Sequence, residues 1–174
     1  NFAKRMTATA QKLGMTRTNL VNASGLHHPR QVSTARDMAA LSQALIRDFP
    51  RQYRYFSVNS FTYAGIEYNN HNKLMKTYTG MDGIKTGYVY ASGFNLAASA
   101  VQDGRRLIGV VFGGRTAQSR NKHMADILDQ GFDRLREPRI ASRIQQRLAL
   151  GSSAARMAVV SNDTEGTRQQ RVPQ

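Results

Sequence analysis

The residues best suited to chemistry in this chain are Lys85, Thr86 and Gly87, within the run Gly80-Met81-Asp82-Gly83-Ile84-Lys85-Thr86-Gly87-Tyr88. Met81, Ile84 and the later Leu96-Ala97-Ala98 form short apolar stretches, which place the triplet on a β-strand or at its edge. Side chains alternate between faces along a strand, so Lys85 and Gly87 share one face and Thr86 points to the other. A glycine at 87 lets a ligand come close to the backbone. The Lys85 ammonium supplies positive potential, the Thr86 hydroxyl can donate to a carboxylate, and the Tyr88 N–H just past Gly87 is available to an oxyanion.

Composition excludes several other chemistries. The chain has 174 residues and 40% hydrophobic content, enough for one domain with a real core. With no cysteine there are neither disulfides nor thiolate metal sites. His27, His28, His71 and His123 show no His-x-x-x-His spacing, so no metal and no cofactor is expected. No Gly-x-x-x-x-Gly-Lys-Ser/Thr appears, so Lys85-Thr86 is not a phosphate loop, and no carboxylate pair of glycosidase character stands out among 11 acidic residues. No apolar run is long enough to span a bilayer. The formal net charge of +14 favours polyanions, such as an anionic membrane surface or acidic wall polymers. No helix-turn-helix, zinc knuckle or aromatic-basic repeat accompanies it, so no specific nucleic-acid partner is expected.

These residues must be held by the elements around them. Phe2, Met6, Ala10 and Leu13 recur at helical spacing, with Gly14 as the stop. Asn19 to Pro29 reads as a loop. Thr34, with Asp37 three residues on, resembles a capping box opening a helix whose stripe is Met38, Leu41, Leu45 and Ile46. Capping and surface pairing account for Arg36 and Asp37 without a site. Val58, Phe61, Tyr63, Ile66 and Tyr68 suggest two strands across an Ala64-Gly65 turn, with Ser57 on a strand's polar face. A polar loop from Asn69 to Leu74 leads toward the Lys-Thr-Gly strand. Residues 95–101 and 107–112 form a hairpin about Asp103-Gly104, giving three consecutive antiparallel strands. A helix from Ala117 to Leu135 follows, with Met124, Ile127, Leu128, Phe132 and Leu135 on its buried face. Beyond Pro138 the texture turns basic and polar: a helix over 140–150 is compatible with it, then disorder. The fold class is α/β, an antiparallel sheet flanked by helices over residues 1–136, with a basic disordered tail or linker over 137–174.

Lys-Thr-Gly is one of three short motifs of serine acyltransferases of the penicillin-binding and β-lactamase type. Together with Leu13-Gly14-Met15-Thr16-x-Thr18, Asn22-x-x-Gly25-Leu26, Ser33-Thr34-Ala35-Arg36-Asp37-Met38-Ala39 and Phe61-Thr62-Tyr63, the run resembles the D-alanyl-D-alanine carboxypeptidases. These are low-molecular-mass penicillin-binding proteins that trim peptidoglycan stem peptides. The resemblance extends from about Phe2 to Leu135. It implies the C-terminal half of a penicillin-binding-protein-like domain, a periplasmic or extracytoplasmic location, a peptidoglycan pentapeptide as substrate and β-lactams as covalent inhibitors. It further implies that a serine attacks between two D-alanines to form an acyl-enzyme, with Lys85 aiding proton transfer and Thr86, Gly87 and Tyr88 binding substrate. In the family an Asn-x-Asn-x-Leu loop carries a basic residue near the substrate's terminal carboxylate. Here that residue is His71 or Lys73, unless the loop is an ordinary asparagine turn.

The family's Ser-x-x-Lys and Ser-x-Asn motifs precede the region matched, so the chain is expected to be a fragment, processed product or half of a split enzyme. Its signal for export would lie upstream. Ser119-Arg120-Asn121-Lys122 and Ser57-Val58-Asn59 mimic the two motifs, but they follow in the wrong order, and Ser119 sits where a serine caps a helix. On this reading the complete parent is the enzyme, and this chain supplies the Lys-Thr-Gly strand with little turnover alone. The competing reading is a non-catalytic basic module that binds peptidoglycan or polyanions.

Overall fold

The structure, a computed structural model, describes residues 1–138, 140 and 142–150. They fall into two units, one from Asn1 to Phe132 and one beginning at Asp133.

The first unit opens with α1 (Phe2–Lys12), closed by Leu13 and by Gly14 at φ +81°. α2 (Ala35–Asp48) starts at Thr34, whose hydroxyl accepts the Asp37 N–H at 3.1 Å. The rest of the capping box departs from expectation. Asp37 is 4% exposed, and its carboxylate accepts the Arg17 N–H at 2.9 Å and the Thr18 hydroxyl at 2.7 Å. It therefore pins the segment after α1 to the start of α2, a buried role in place of surface pairing. The Thr18 hydroxyl is the main cause holding the Asp37 carboxyl below its ordinary range. The loop between the helices is a structural turn: Asn22 Oδ1 accepts the Gly25 N–H at 2.9 Å, and Asn22 Nδ2 donates to the Leu26 carbonyl at 2.9 Å.

After α2 come α3 (Pro50–Tyr53) and a 3-10 turn (Arg54–Ser57). Ser57 thus ends a helical turn and is not on a strand, because Pro50 restarts helix after Phe49. Next stands a two-stranded hairpin, β1 (Ser60–Tyr63) and β2 (Ile66–Asn69), closed by Ala64 at φ +50° and Gly65 at φ +78°. Two successive left-handed residues match the strands' twist. A short helix, α4 (Leu74–Thr77), leads to the main sheet.

That sheet is antiparallel, in the order β3 (Met81–Val89), β4 (Gly93–Gln102), β5 (Arg105–Gly114), as the Asp103-Gly104 turn predicts. β4 is buried on both faces, with Leu96, Ala98, Ser99 and Ala100 at 1% exposure or less. Ala98 and Ala100 pair with Gly109 and Leu107. These lie under α5 (Ala117–Arg136), whose Met124, Leu128 and Phe132 complete the core. A Cβ at Gly109 would come within 2.6 Å of Met124 Sδ, so glycine there sets how closely helix and strand approach. α2 packs against β5. Asp82 hydrogen-bonds Tyr53 and Arg106, and Arg106 also reaches Ser99.

In the second unit, residues 140 and 142–150 are helical where a basic helix is compatible with the sequence. The tail expected to be disordered falls, over 151–174, outside the described residues. Among the described residues no helix is long and apolar enough to cross a membrane.

Candidate active site

β3 changes character along its length. Met81, Gly83 and Ile84 are buried, whereas Lys85, Gly87 and Tyr88 are exposed and Thr86 is half-buried. Its pairing, Lys85 with Ala97 and Gly87 with Asn95, puts those two on one face, and Thr86 pairs with Leu96 on the other.

The buried half is held by side chains from both earlier and later in the chain. Asp82 accepts hydrogen bonds from Tyr53 Oη at 3.0 Å and from Arg106 at 2.7 Å. Arg106 also donates to the Ser99 hydroxyl and lies 5.4 Å from the centre of the Tyr53 ring. Burial pushes the Tyr53 hydroxyl up to about 12. The Ser57 hydroxyl donates to the Asp82 carbonyl at 2.7 Å, and Asn72 Nδ2 donates to the Gly83 carbonyl at 3.3 Å. Among the described residues β3 pairs with β4 alone. Ser57 and Asn72 take the Asp82 and Gly83 carbonyls, so the stretch from Lys85 onward is where an extended ligand can add as a strand on the other edge.

An open cleft of about 790 Å³ lies between β3 and the β1–β2 hairpin. Lys85, Thr86, His71 and Lys73 line it together, with Tyr55, Phe61, Tyr68 and Glu67. Phe61 and Tyr68 stack at 5.3 Å between centroids. Gly87 and Tyr88 are not part of that lining and continue along β3, with the Tyr88 ring 4.5 Å from Phe94. Lys85 Nζ donates to the Thr86 carbonyl at 2.7 Å, so its ammonium rests on its own strand and can be exchanged onto an incoming acceptor. A Cβ at Gly87 would meet only Asn95 Cβ, at 3.9 Å, an ordinary contact. Packing within the described residues makes no demand for glycine there.

Neither look-alike serine has the surroundings of a nucleophile. Ser119 and Thr116 cap α5 reciprocally: the Ser119 N–H donates to Thr116 Oγ1 at 3.0 Å and the Thr116 N–H to Ser119 Oγ at 3.1 Å. Lys122 pairs with Asp126 one turn on, at 2.8 Å. Ser57 is committed to the Asp82 carbonyl. Among the described residues no group of three potential metal ligands occurs.

Sequence reasoning missed the Tyr53–Asp82–Arg106 network and the work of Asn72. The only signal for either was an aspartate inside the Lys-Thr-Gly run and two asparagines flanking His71.

A family model described as D-alanyl-D-alanine carboxypeptidase matches residues 1–116. The chain is 41% identical over 133 residues to the D-alanyl-D-alanine carboxypeptidase DacC of Escherichia coli (strain K12), covering 76% of this chain and 33% of that protein. It is 34% identical over 142 residues to DacF of Bacillus subtilis (strain 168), covering 75% and 35%. Penicillin-binding protein 5 of Haemophilus influenzae superposes with a TM-score of 0.73 at 38% identity, over 76% of this chain and 39% of that one. Penicillin-binding protein D2 of Listeria monocytogenes, in a cefotaxime-bound form, gives 0.70 at 34% identity, over 75% and 55%. The chain therefore spans about a third of the length of the curated relatives it matches. The α/β fold expected from the resemblance is the one found.

Proposed function

The chain belongs to the D-alanyl-D-alanine carboxypeptidase family, and from that premise we propose that it forms the Lys-Thr-Gly wall of a serine acyl-transfer site. The substrate is a peptidoglycan stem peptide ending in D-Ala-D-Ala, reached outside the cytoplasm. The nucleophilic serine and its lysine base lie outside these 174 residues. The observation that carries this reading is the convergence of Lys85, Thr86, His71 and Lys73 on one cleft beside a free strand edge.

The chemistry follows from the residues. A peptide lying along the free edge of β3 is held by main-chain hydrogen bonds. Its terminal carboxylate meets the Thr86 hydroxyl and the cationic side of the cleft, Lys85 with His71 or Lys73. The serine attacks the carbonyl between the two D-alanines, and negative charge develops on its oxygen. The Tyr88 N–H then donates to that oxygen, as in other oxyanion sites. As the C–N bond breaks, the departing amine takes the proton that the lysine base drew from the serine and leaves as D-alanine, the positive charge of Lys85 keeping that base neutral before attack and ready to give the proton up. Water then hydrolyses the acyl ester and restores the serine. Gly87 leaves the backbone open where the acyl carbonyl must come closest.

Intact-mass analysis of this chain after incubation with a penicillin tests the division of labour. The expected result is no covalent adduct on the native chain. An adduct would place a nucleophile within these residues and overturn the proposal, with Ser119 the first position to examine.

A further inference from the structure

The loop that carries His71 and Lys73 is anchored from its inner side. Asn72 stands between those two exposed side chains and is itself 3% exposed. Its Nδ2 donates to the Gly83 carbonyl on β3 at 3.3 Å, and its Oδ1 accepts the Leu74 N–H at the start of α4 at 3.3 Å. The Asn72 N–H in turn donates to Asn70 Oδ1 at 2.8 Å. Asn70 reaches the base of the hairpin, its N–H donating to the Asn59 carbonyl at 2.7 Å and its Nδ2 to the Val58 carbonyl at 2.9 Å. Asn72 thus faces inward as a tether and Asn70 ties the loop's start to the hairpin while itself lining the cleft, and His71 and Lys73 face the cleft.

We infer that Asn72 is a positioning residue: it fixes His71 and Lys73 at a set distance from Lys85, and so sets the preference for substrates with a free terminal carboxylate. This rests on the acyl-transfer reading. Asn72 touches neither substrate nor reacting atoms; it acts through its neighbours. The Gly83 carbonyl is two residues before Lys85 on the same strand, so one hydrogen bond ties both sides of the cationic cleft together. A buried asparagine donor has no solvent alternative, which makes the link directional and costly to break. Removing it frees the loop to move as a unit and leaves the catalytic strand in place, because Asp82 and Ser57 hold β3 independently.

The test uses the complete enzyme and two substrates, a peptide ending in D-Ala-D-Ala with a free carboxylate and the same peptide with that carboxyl amidated. The quantity read is the ratio of their kcat/KM values. Any loss of folded protein scales both rates equally and cancels from the ratio. Asn72→Ala is expected to lower the preference for the free carboxylate about tenfold, mainly through KM. Asn72→Ser keeps an acceptor for the Leu74 N–H but is too short to reach the Gly83 carbonyl, and is expected to lose the preference to the same degree. An unchanged ratio in Asn72→Ala, or a ratio restored to the parent value in Asn72→Ser, overturns the assignment. Failure of the underlying reading looks different: the unmodified enzyme would then form no covalent penicillin adduct at all.

Discussion

The two halves of β3 make an instructive contrast. From Met81 to Ile84 the strand is buried and tethered by Tyr53, Ser57, Asn72 and Arg106. From Lys85 to Tyr88 it is largely exposed, and the Lys85 ammonium rests on a carbonyl of its own strand. A strand anchored at one end and by β4 along its length can present its other end without drawing stability from the side chains there. Those side chains are then free to serve binding and charge, as the proposed acyl-transfer site requires.

The largest expected effect comes from Lys85. In the complete enzyme, Lys85→Ala should slow acylation by a labelled penicillin about 10²- to 10⁴-fold, while urea unfolding shifts by less than about 0.5 kcal/mol. Acylation at the parent rate would remove Lys85 from the mechanism.

The two glycines divide the strand more finely. A Cβ at Gly83 would lie 2.8 Å from Tyr53 Oη and 3.3 Å from Phe56 Cβ. Gly83→Ala should therefore destabilise by about 1–3 kcal/mol, read as a lower urea midpoint. Gly87→Ala places its methyl in ordinary contact, 3.9 Å from Asn95 Cβ. It should leave the midpoint within about 0.5 kcal/mol of the parent and raise KM for the peptide about tenfold, the binding equivalent of about 1.4 kcal/mol. If the midpoint moves with Gly87→Ala and not with Gly83→Ala, the contrast is inverted.

The smallest effect concerns pH and the buried half. Burial raises the Tyr53 hydroxyl from an ordinary 10 to about 12. The folded state thus keeps its proton to higher pH than the unfolded chain. That contribution is fully present below pH 10 and is lost as pH rises from 10 toward 12. Unfolding free energies measured across that window should fall more steeply for the parent than for Tyr53→Phe; parallel slopes would show that burial at Tyr53 does not govern this proton.

Much of the architecture was legible in local pattern. Ala64-Gly65 and Asp103-Gly104 announce hairpins because both residues of each turn take positive φ. Thr34 announces α2 because its hydroxyl accepts an N–H three residues on, and the apolar spacing of α5 follows from its packing on β5. Asp37 was misjudged because its partners, Arg17 and Thr18, are about twenty residues away and no local pattern shows that. Ser57 was misplaced because Pro50 restarts helix where the aromatic content suggested strand.

The sequence by itself determined the strand that carries Lys85 and Thr86, its hairpin neighbours and the family, because these depend on residue order and short-range periodicity. Tertiary structure alone decided that His71 and Lys73 share a cleft with Lys85, that Asp82 and Asn72 face inward as anchors, and that packing among the described residues makes no demand for glycine at 87. Each of these depends on hydrogen bonds and distances between segments far apart in the chain, and a one-dimensional pattern does not record separations in space.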